Sequence, residues 1–225
     1  MLHPPKYPST PHWPWSQTVH KDDRYHQDPE VFLRHEVVIT EKLDGGNTCL
    51  YGGDVYARST GAPSHASWMA MVRKHHAWKT VDSRPDVVLY GEDLFGIHSI
   101  EYDAMPEDQT FRLFAARYIN PKHMSGGWFA DQDLLVGIAA EMELPTVPVL
   151  FRGTFDSLDQ ITQWFEEEIK KPSVLGGERE GFVLKRDESF VAEQFQTYVC
   201  KYVRANHVQT DEHWKVNWQQ CQFTS

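Results

Sequence analysis

Glu36-Val37-Val38-Ile39-Thr40-Glu41-Lys42-Leu43-Asp44-Gly45-Gly46-Asn47, residues 36–47, is the stretch on which the fold and chemistry of this chain turn. Its first half is rich in β-branched and apolar residues and reads as a strand. The strand ends in a lysine, and an acid and two glycines follow at once. That order holds an ammonium at the lip of a sheet, where glycine lets backbone approach a ligand closely. An exposed turn lysine is an equal reading of these residues alone, so the rest of the chain has to decide.

Working outward, Thr48 to Tyr51, Gly52-Gly53 and Asp54 to Arg58 read as a hairpin, because paired glycines supply the positive φ angles of a primed turn. Residues 66–78 carry Trp68, Met71, Val72 and His75 at helical spacing. Residues 86–92, 110–118, 181–186 and 198–203 read as strands, and 131–143 as a helix closed off by Pro145. Ser157 with Gln160 forms a capping-box pattern ahead of a helix whose Leu158, Ile161, Trp164, Phe165 and Ile169 share one face. Strands joined by hairpins and irregular loops, with three helices between them, predict an α+β fold on antiparallel sheets. Residues 1–35, rich in Pro, His and Trp and without a period, read as an N-terminal arm packed on a domain spanning 36–225.

The length of 225 residues suits one domain, and 40% hydrophobic with 13% aromatic residues excludes a disordered chain. A net charge of -10 removes the basic face of a duplex-coating protein, so a nucleic-acid role would need a local site. Cys49, Cys200 and Cys221 form no CxxC pair and support neither a disulfide framework nor a zinc ribbon. His75-His76 and His207 with His213 lack a carboxylate or thiol at ligand spacing and read as scattered histidines. The P-loop, dinucleotide-binding, zinc-protease and nucleophile-elbow signatures are absent. No membrane-spanning run is present and prolines break the first residues, so a reducing, cytoplasmic compartment is expected.

Three further strand ends carry charge: Leu89-Tyr90-Gly91-Glu92, Glu180-Gly181-Phe182-Val183-Leu184-Lys185 and Val199-Cys200-Lys201-Tyr202-Val203-Arg204. With Lys42 they give Lys, Glu, Glu, Lys, an order that resembles motifs I, III, IV and V of the covalent nucleotidyltransferases: ATP-dependent DNA and RNA ligases and mRNA capping enzymes. Within that superfamily the chain is most similar to the RNA ligase 2 group, through Thr40-Glu41 before the lysine and Asn47 five residues after it. The HSI and EYD runs at 98–103 and the HVQTDEHW run at 207–214 resemble features of small stand-alone RNA ligases. The likeness covers roughly residues 36–215. It implies a ligase adenylation domain without an OB-fold, since only 24 residues follow Lys201. An accessory protein is one expected source of the contacts that a second domain makes in relatives.

The resemblance also implies roles. Lys42 would take AMP from ATP, which requires a neutral amine and hence a pKa lowered by partial burial and by positive charge from Lys201 or a metal ion. Glu180 is implied as the carboxylate beside Mg²⁺ or Mn²⁺, Glu92 as the ribose acceptor, and Lys201 as a phosphate-side cation. Phe114, with Phe111 as alternate, would stack on adenine; strand alternation alone does not tell their faces apart. Glu41 is implied at the base edge through side-chain and backbone contacts, and Asn47 and Arg58 at the RNA end. Val203 stands where the group usually has a second motif V lysine, which leaves Lys185 or Arg204 to supply that cation, and Ala115-Ala116 replaces the family's FD signature. The AMP would pass to an RNA 5′-phosphate and be displaced by a 3′-hydroxyl, an RNA-sealing or RNA-repair activity with ATP and RNA as partners. A DNA ligase, a GTP-using capping enzyme and a non-sealing nucleotide-binding module of the same fold are the alternatives. Lys42, Arg58, Lys185, Lys201 and Arg204 would gather at the site, so the acidic average is no barrier to holding one RNA end.

Overall fold

Val37–Lys42 (β1) is buried at every position but the last, as a strand covered on both faces should be. It lies inside a four-stranded antiparallel sheet, between Val149–Gly153 (β8) and Gly181–Arg186 (β9), with Val199–Val203 (β11) beyond β9. The computed structural model describes residues 3–16, 24–58, 61–81, 84–122, 124, 126–204 and 218–224.

After Lys42 the chain crosses to a second antiparallel sheet, which holds Gly46–Tyr51 (β2), Asp54–Ala57 (β3), Val87–Asp93 (β4), Phe111–Tyr118 (β6), Trp128–Phe129 (β7) and Phe190–Val191 (β10). Its strand order is β10-β7-β6-β4-β2-β3. A small third sheet pairs Gly96–Ile97 (β5) with Gln219–Gln220 (β12). The β2–β3 turn is the expected glycine pair, with φ of +58° at Gly52 and +85° at Gly53.

Each sheet packs one face under helices. Ile39, Phe182 and Leu184 lie with Ile161 and Phe165 of the helix Leu158–Glu168 (α3). Ser157 caps that helix by accepting from the Gln160 N–H at 3.3 Å, while the Gln160 carboxamide accepts from Asp156 N–H at 2.8 Å, one residue outside the expected box. Leu50, Leu89 and Leu113 lie with Val72 of the helix Ala70–His75 (α1) and Leu135 and Ile138 of Gln132–Glu141 (α2). The other faces meet each other through Cys49, Tyr90, Ala115 and Val199, joined by Phe195 of the short helix Phe195–Tyr198 (α4). Antiparallel strands with helices on the outer faces make the α+β class.

The helix predicted over 66–78 is broken. A 3₁₀ turn at Ser67–Met69, α1, and a second 3₁₀ turn at Ala77–Thr80 replace it. His76 interrupts it with φ of -128°, its buried ring bonded through Nε2 to the Asp108 carbonyl at 2.9 Å. The arm is tied down by backbone: Trp13 N–H donates to the Lys201 carbonyl at 2.6 Å, and Lys201 N–H to the Pro11 carbonyl at 2.8 Å. The Trp13 ring is 0% exposed, T-shaped on Phe165 at 5.7 Å, and its Nε1 donates to Thr162 Oγ1 at 3.1 Å.

Trp13→Ala should therefore cost about 3–5 kcal/mol, the range for deleting a buried tryptophan. Urea denaturation measures it; a loss below about 1 kcal/mol would mean the arm is only laid on the surface.

Candidate active site

The crevice between the two sheets opens into a cavity of about 760 Å³. Strand register sets its walls. Lys42, the last residue of β1, lies opposite Gly181, so Glu180 stands beside it, and Lys201 of β11 lies opposite Val183. From the second sheet, Asn47 of β2 lies opposite Glu92 of β4. Lys42, Asn47, Arg58, Glu92, Phe114, Lys185 and Lys201 all line the cavity.

Lys42 Nζ donates to Glu180 Oε1 at 2.5 Å, and the Glu180 side chain is 0% exposed. Burial favours the neutral amine, but Glu180 and Glu92 outweigh it, so the lysine pKa is raised above its usual value. That direction belongs to the chain alone, where the fold gathers acids around the ammonium. Burial, with repulsion from Glu180, Asp44 and Asp93, pushes Glu92 up to about 8 even though Lys42 opposes it. Burial also pushes Lys185 down to about 8, with Asp187 opposing.

Asp44, the acid two residues after the lysine, works within the fold. Its Oδ2 accepts from Ser99 N–H at 2.8 Å, Ser99 Oγ at 2.7 Å and Ile100 N–H at 2.8 Å, and its own N–H donates to Tyr102 Oη at 2.7 Å. The HSI and EYD runs thus clasp the loop that follows Lys42.

Glu41 faces away from the cavity. On a strand, alternate residues share a face: Thr40 and Lys42 look into the crevice, while Glu41 joins Ile39 toward α3. Its Oε1 accepts from Arg179 Nε at 3.4 Å and its Oε2 from Val174 N–H at 3.1 Å, in a pair whose side chains are 4% and 1% exposed. Arg179 also donates to the Glu168 carbonyl at 2.9 Å and lies over the Phe182 ring. Both carboxylate oxygens are thus engaged away from the cavity, and it is the backbone of Glu41 that remains at the cavity wall.

Phe114 lies on the face opposite Phe111 and Leu113, toward the cavity, and the β4–β6 ladder slips beside it. Tyr90 pairs with Ala115 and Gly91 with Leu113, leaving Phe114 as an extra residue on β6. Such a bulge re-aims a side chain. It puts Phe114 and Ala115 on the same, crevice-facing side, and Lys185 Nζ donates to the Phe114 carbonyl at 3.0 Å. Phe111 is 0% exposed, and its ring lies where a Cβ on Gly91 would come within 2.2 Å of Cζ. It is a core residue.

Arg204 pairs with Glu178 and does not line the cavity, so of the two candidate second cations the geometry leaves Lys185. Arg58 Nη2 donates to Ser9 Oγ at 2.9 Å, and Lys6 to Thr10 form part of the cavity wall, which no feature of the sequence announced. Among the described residues no three His, Cys, Asp or Glu side chains form a metal cluster. His207, His213 and the rest of the 207–214 run lie outside the described residues. No described helix is long and apolar enough to cross a membrane.

A family model described as RNA ligase matches residues 35–203. No curated protein matches the chain. Among solved structures, a candidate ATP-dependent DNA ligase from Aquifex aeolicus is 20% identical with a TM-score of 0.54, covering 88% of this chain and 50% of its own. An archaeal ATP-dependent RNA ligase is 15% identical with a TM-score of 0.51, over 88% of this chain and 48% of its own. A Naegleria gruberi RNA ligase variant with ATP and Mn is 17% identical with a TM-score of 0.57, over 83% and 56%. The chain thus spans about half the length of these proteins and shares their fold.

Replacing Arg179 by methionine should cost about 3–5 kcal/mol by stranding the buried Glu41 carboxylate, and adding Glu41→Gln should recover part of it. A double-mutant cycle by chemical denaturation reads the coupling; additive losses would remove the pair from the account.

Proposed function

Because the chain belongs to the RNA ligase family, we propose that it is an ATP-dependent RNA ligase acting through a lysyl-AMP intermediate on Lys42. The observation that carries this is the Lys42 amine on a cavity wall, 2.5 Å from the buried Glu180, with Lys185 and Lys201 on the same sheet face.

In the first step the Lys42 Nζ lone pair attacks the α-phosphorus of ATP. A P–N bond forms, the bond to the β-phosphate breaks, and pyrophosphate leaves with the electron pair. The amine must first lose a proton, which the resting ion pair with Glu180 opposes. Lys201 and Lys185 are placed to meet the charge on the phosphate oxygens, and Phe114 to offer its ring to adenine. The acids suit a hard cation, since Mg²⁺ is commonly held by one or two carboxylates together with substrate phosphates. Glu180 is the residue that would hold Mg²⁺ or Mn²⁺, and the ion would supply positive charge to the phosphates. Next an oxygen of the RNA 5′-phosphate attacks the AMP phosphorus, and Lys42 leaves as the amine. The 3′-hydroxyl then attacks the RNA 5′-phosphorus, forming the phosphodiester and releasing AMP. Asn47 and Arg58 serve these last steps at the RNA end.

With α-labelled ATP and Mg²⁺ or Mn²⁺ the protein should acquire covalent label, and Lys42→Ala or EDTA should remove it completely. A chase with 5′-phosphorylated RNA should discharge the adduct. Arg58→Ala should keep the adduct and slow that discharge by roughly 10²-fold, the cost of a misplaced reacting end. A wild-type protein that takes no label would sink the reading; discharge onto nicked DNA in preference to RNA would move it to DNA sealing.

A further inference from the structure

Phe114 sits on a bulge, where the ladder that would otherwise brace it is interrupted. Its carbonyl is held by Lys185, but its ring needs a separate support. That support comes from the arm: the Tyr7 ring meets Phe114 in a T-shaped contact at 4.9 Å and 70°, and among the described residues it is the aromatic ring packed on Phe114. Tyr7 is itself fixed in a socket of the second sheet and α4, with Tyr90 at 5.2 Å, Phe195 at 5.0 Å and Phe129 at 6.0 Å. Backbone on either side of it is pinned as well. Tyr90 Oη donates to the Pro5 carbonyl at 2.7 Å, and Ser9 Oγ accepts from Arg58 at 2.9 Å.

These contacts do more than anchor a terminus. Near-perpendicular ring packing fixes ring orientation as well as position, and Phe114 is the aromatic beside the bulge that lines the crevice. We propose that Tyr7 is a positioning residue for the nucleotide: through its near-perpendicular ring contact it sets the angle at which Phe114 presents its face to the base. This rests on the reading of the cavity as an ATP site. Tyr7 lines that cavity beside Arg58 without being placed to react.

The consequence falls on ATP capture. Tyr7→Leu keeps apolar bulk in the socket and removes the oriented ring; Tyr7→Phe keeps the ring and removes the hydroxyl. Adduct formation with labelled ATP, followed against ATP concentration, should show KM raised about tenfold in Tyr7→Leu with kcat nearly unchanged, and wild-type KM in Tyr7→Phe. Melting temperature is measured alongside. Tyr7→Leu that folds like wild type and keeps its KM overturns the proposal, as does an equal loss in Tyr7→Phe, or a fall in kcat alone. Should Tyr7→Leu fail to fold, Tyr7→Met takes its place under the same criteria.

Equilibrium binding of ATP to Lys42→Ala protein, with and without Tyr7→Leu, separates this proposal from the catalytic reading. If wild type forms no adduct but Lys42→Ala binds ATP and Tyr7→Leu weakens that binding about tenfold, the lysyl-AMP reading fails while Tyr7 keeps its role. If ATP does not bind at all, both are overturned.

Discussion

The ammonium of Lys42 cannot sit in this crevice without Glu180. A lysine taken out of water loses its charge unless an acid pays the desolvation penalty, and a buried carboxylate has the same need for a cation. Pairing the two satisfies both, and it fixes the architecture around them. Lys42 must end β1 where Gly181 begins β9, so the register of the first sheet and the chemistry of the site are one constraint. On the opposite face of the same two strands Glu41 and Arg179 repeat the arrangement in a drier setting, closing the sheet onto α3. Two ion pairs, back to back, thus hold the strand ends, one accessible from the cavity and one sealed from it.

The same pairing sets the protonation of the lysine. Burial favours the neutral amine, but the Glu180 carboxylate foremost outweighs it and keeps the ammonium protonated. Burial foremost, with the neighbouring acids adding to it, is why Glu92 holds its proton up to about 8. Freeing the amine therefore means breaking the Lys42–Glu180 pair, so any chemistry at Lys42 is coupled to whatever competes for the Glu180 carboxylate.

How much of this was legible in the sequence depends on the range over which each signal acts. Lys42, Glu92, Glu180 and Lys201 end or lie on strands whose residue types and length are readable locally, and the structure gathers all but Glu180 directly on the cavity wall, with Glu180 just behind Lys42. Glu41 could have been placed by counting, since a period of two puts it with Ile39 and against Lys42. The same count sets Phe114 opposite Phe111 and Leu113, but which of the two faces meets the crevice is decided by how the sheets pack, which nothing local in Phe111-Arg112-Leu113-Phe114 marks. The two-residue strands β5, β7, β10 and β12 are too short for alternation to register, and β8 is a partly exposed edge beginning after Pro148. The raised lysine pKa was hidden for a different reason: it depends on acids from residues 44, 92 and 180 meeting in space, and separation along the chain carries no charge sum.

The arm shows the same limit most fully. Its prolines exclude regular periodicity, so Tyr7 and Trp13 carry no pattern that assigns them a partner. In the folded chain Trp13 fills the core under α3 while its backbone pairs with Lys201, and six residues earlier Tyr7 enters the socket beside Phe114. A segment held at both ends, with prolines between to restrict the backbone, loses little further entropy when a ligand arrives. The arm can therefore serve as a preformed wall of the cavity, and the stability it adds to the core and the shape it gives the site come from the same few contacts.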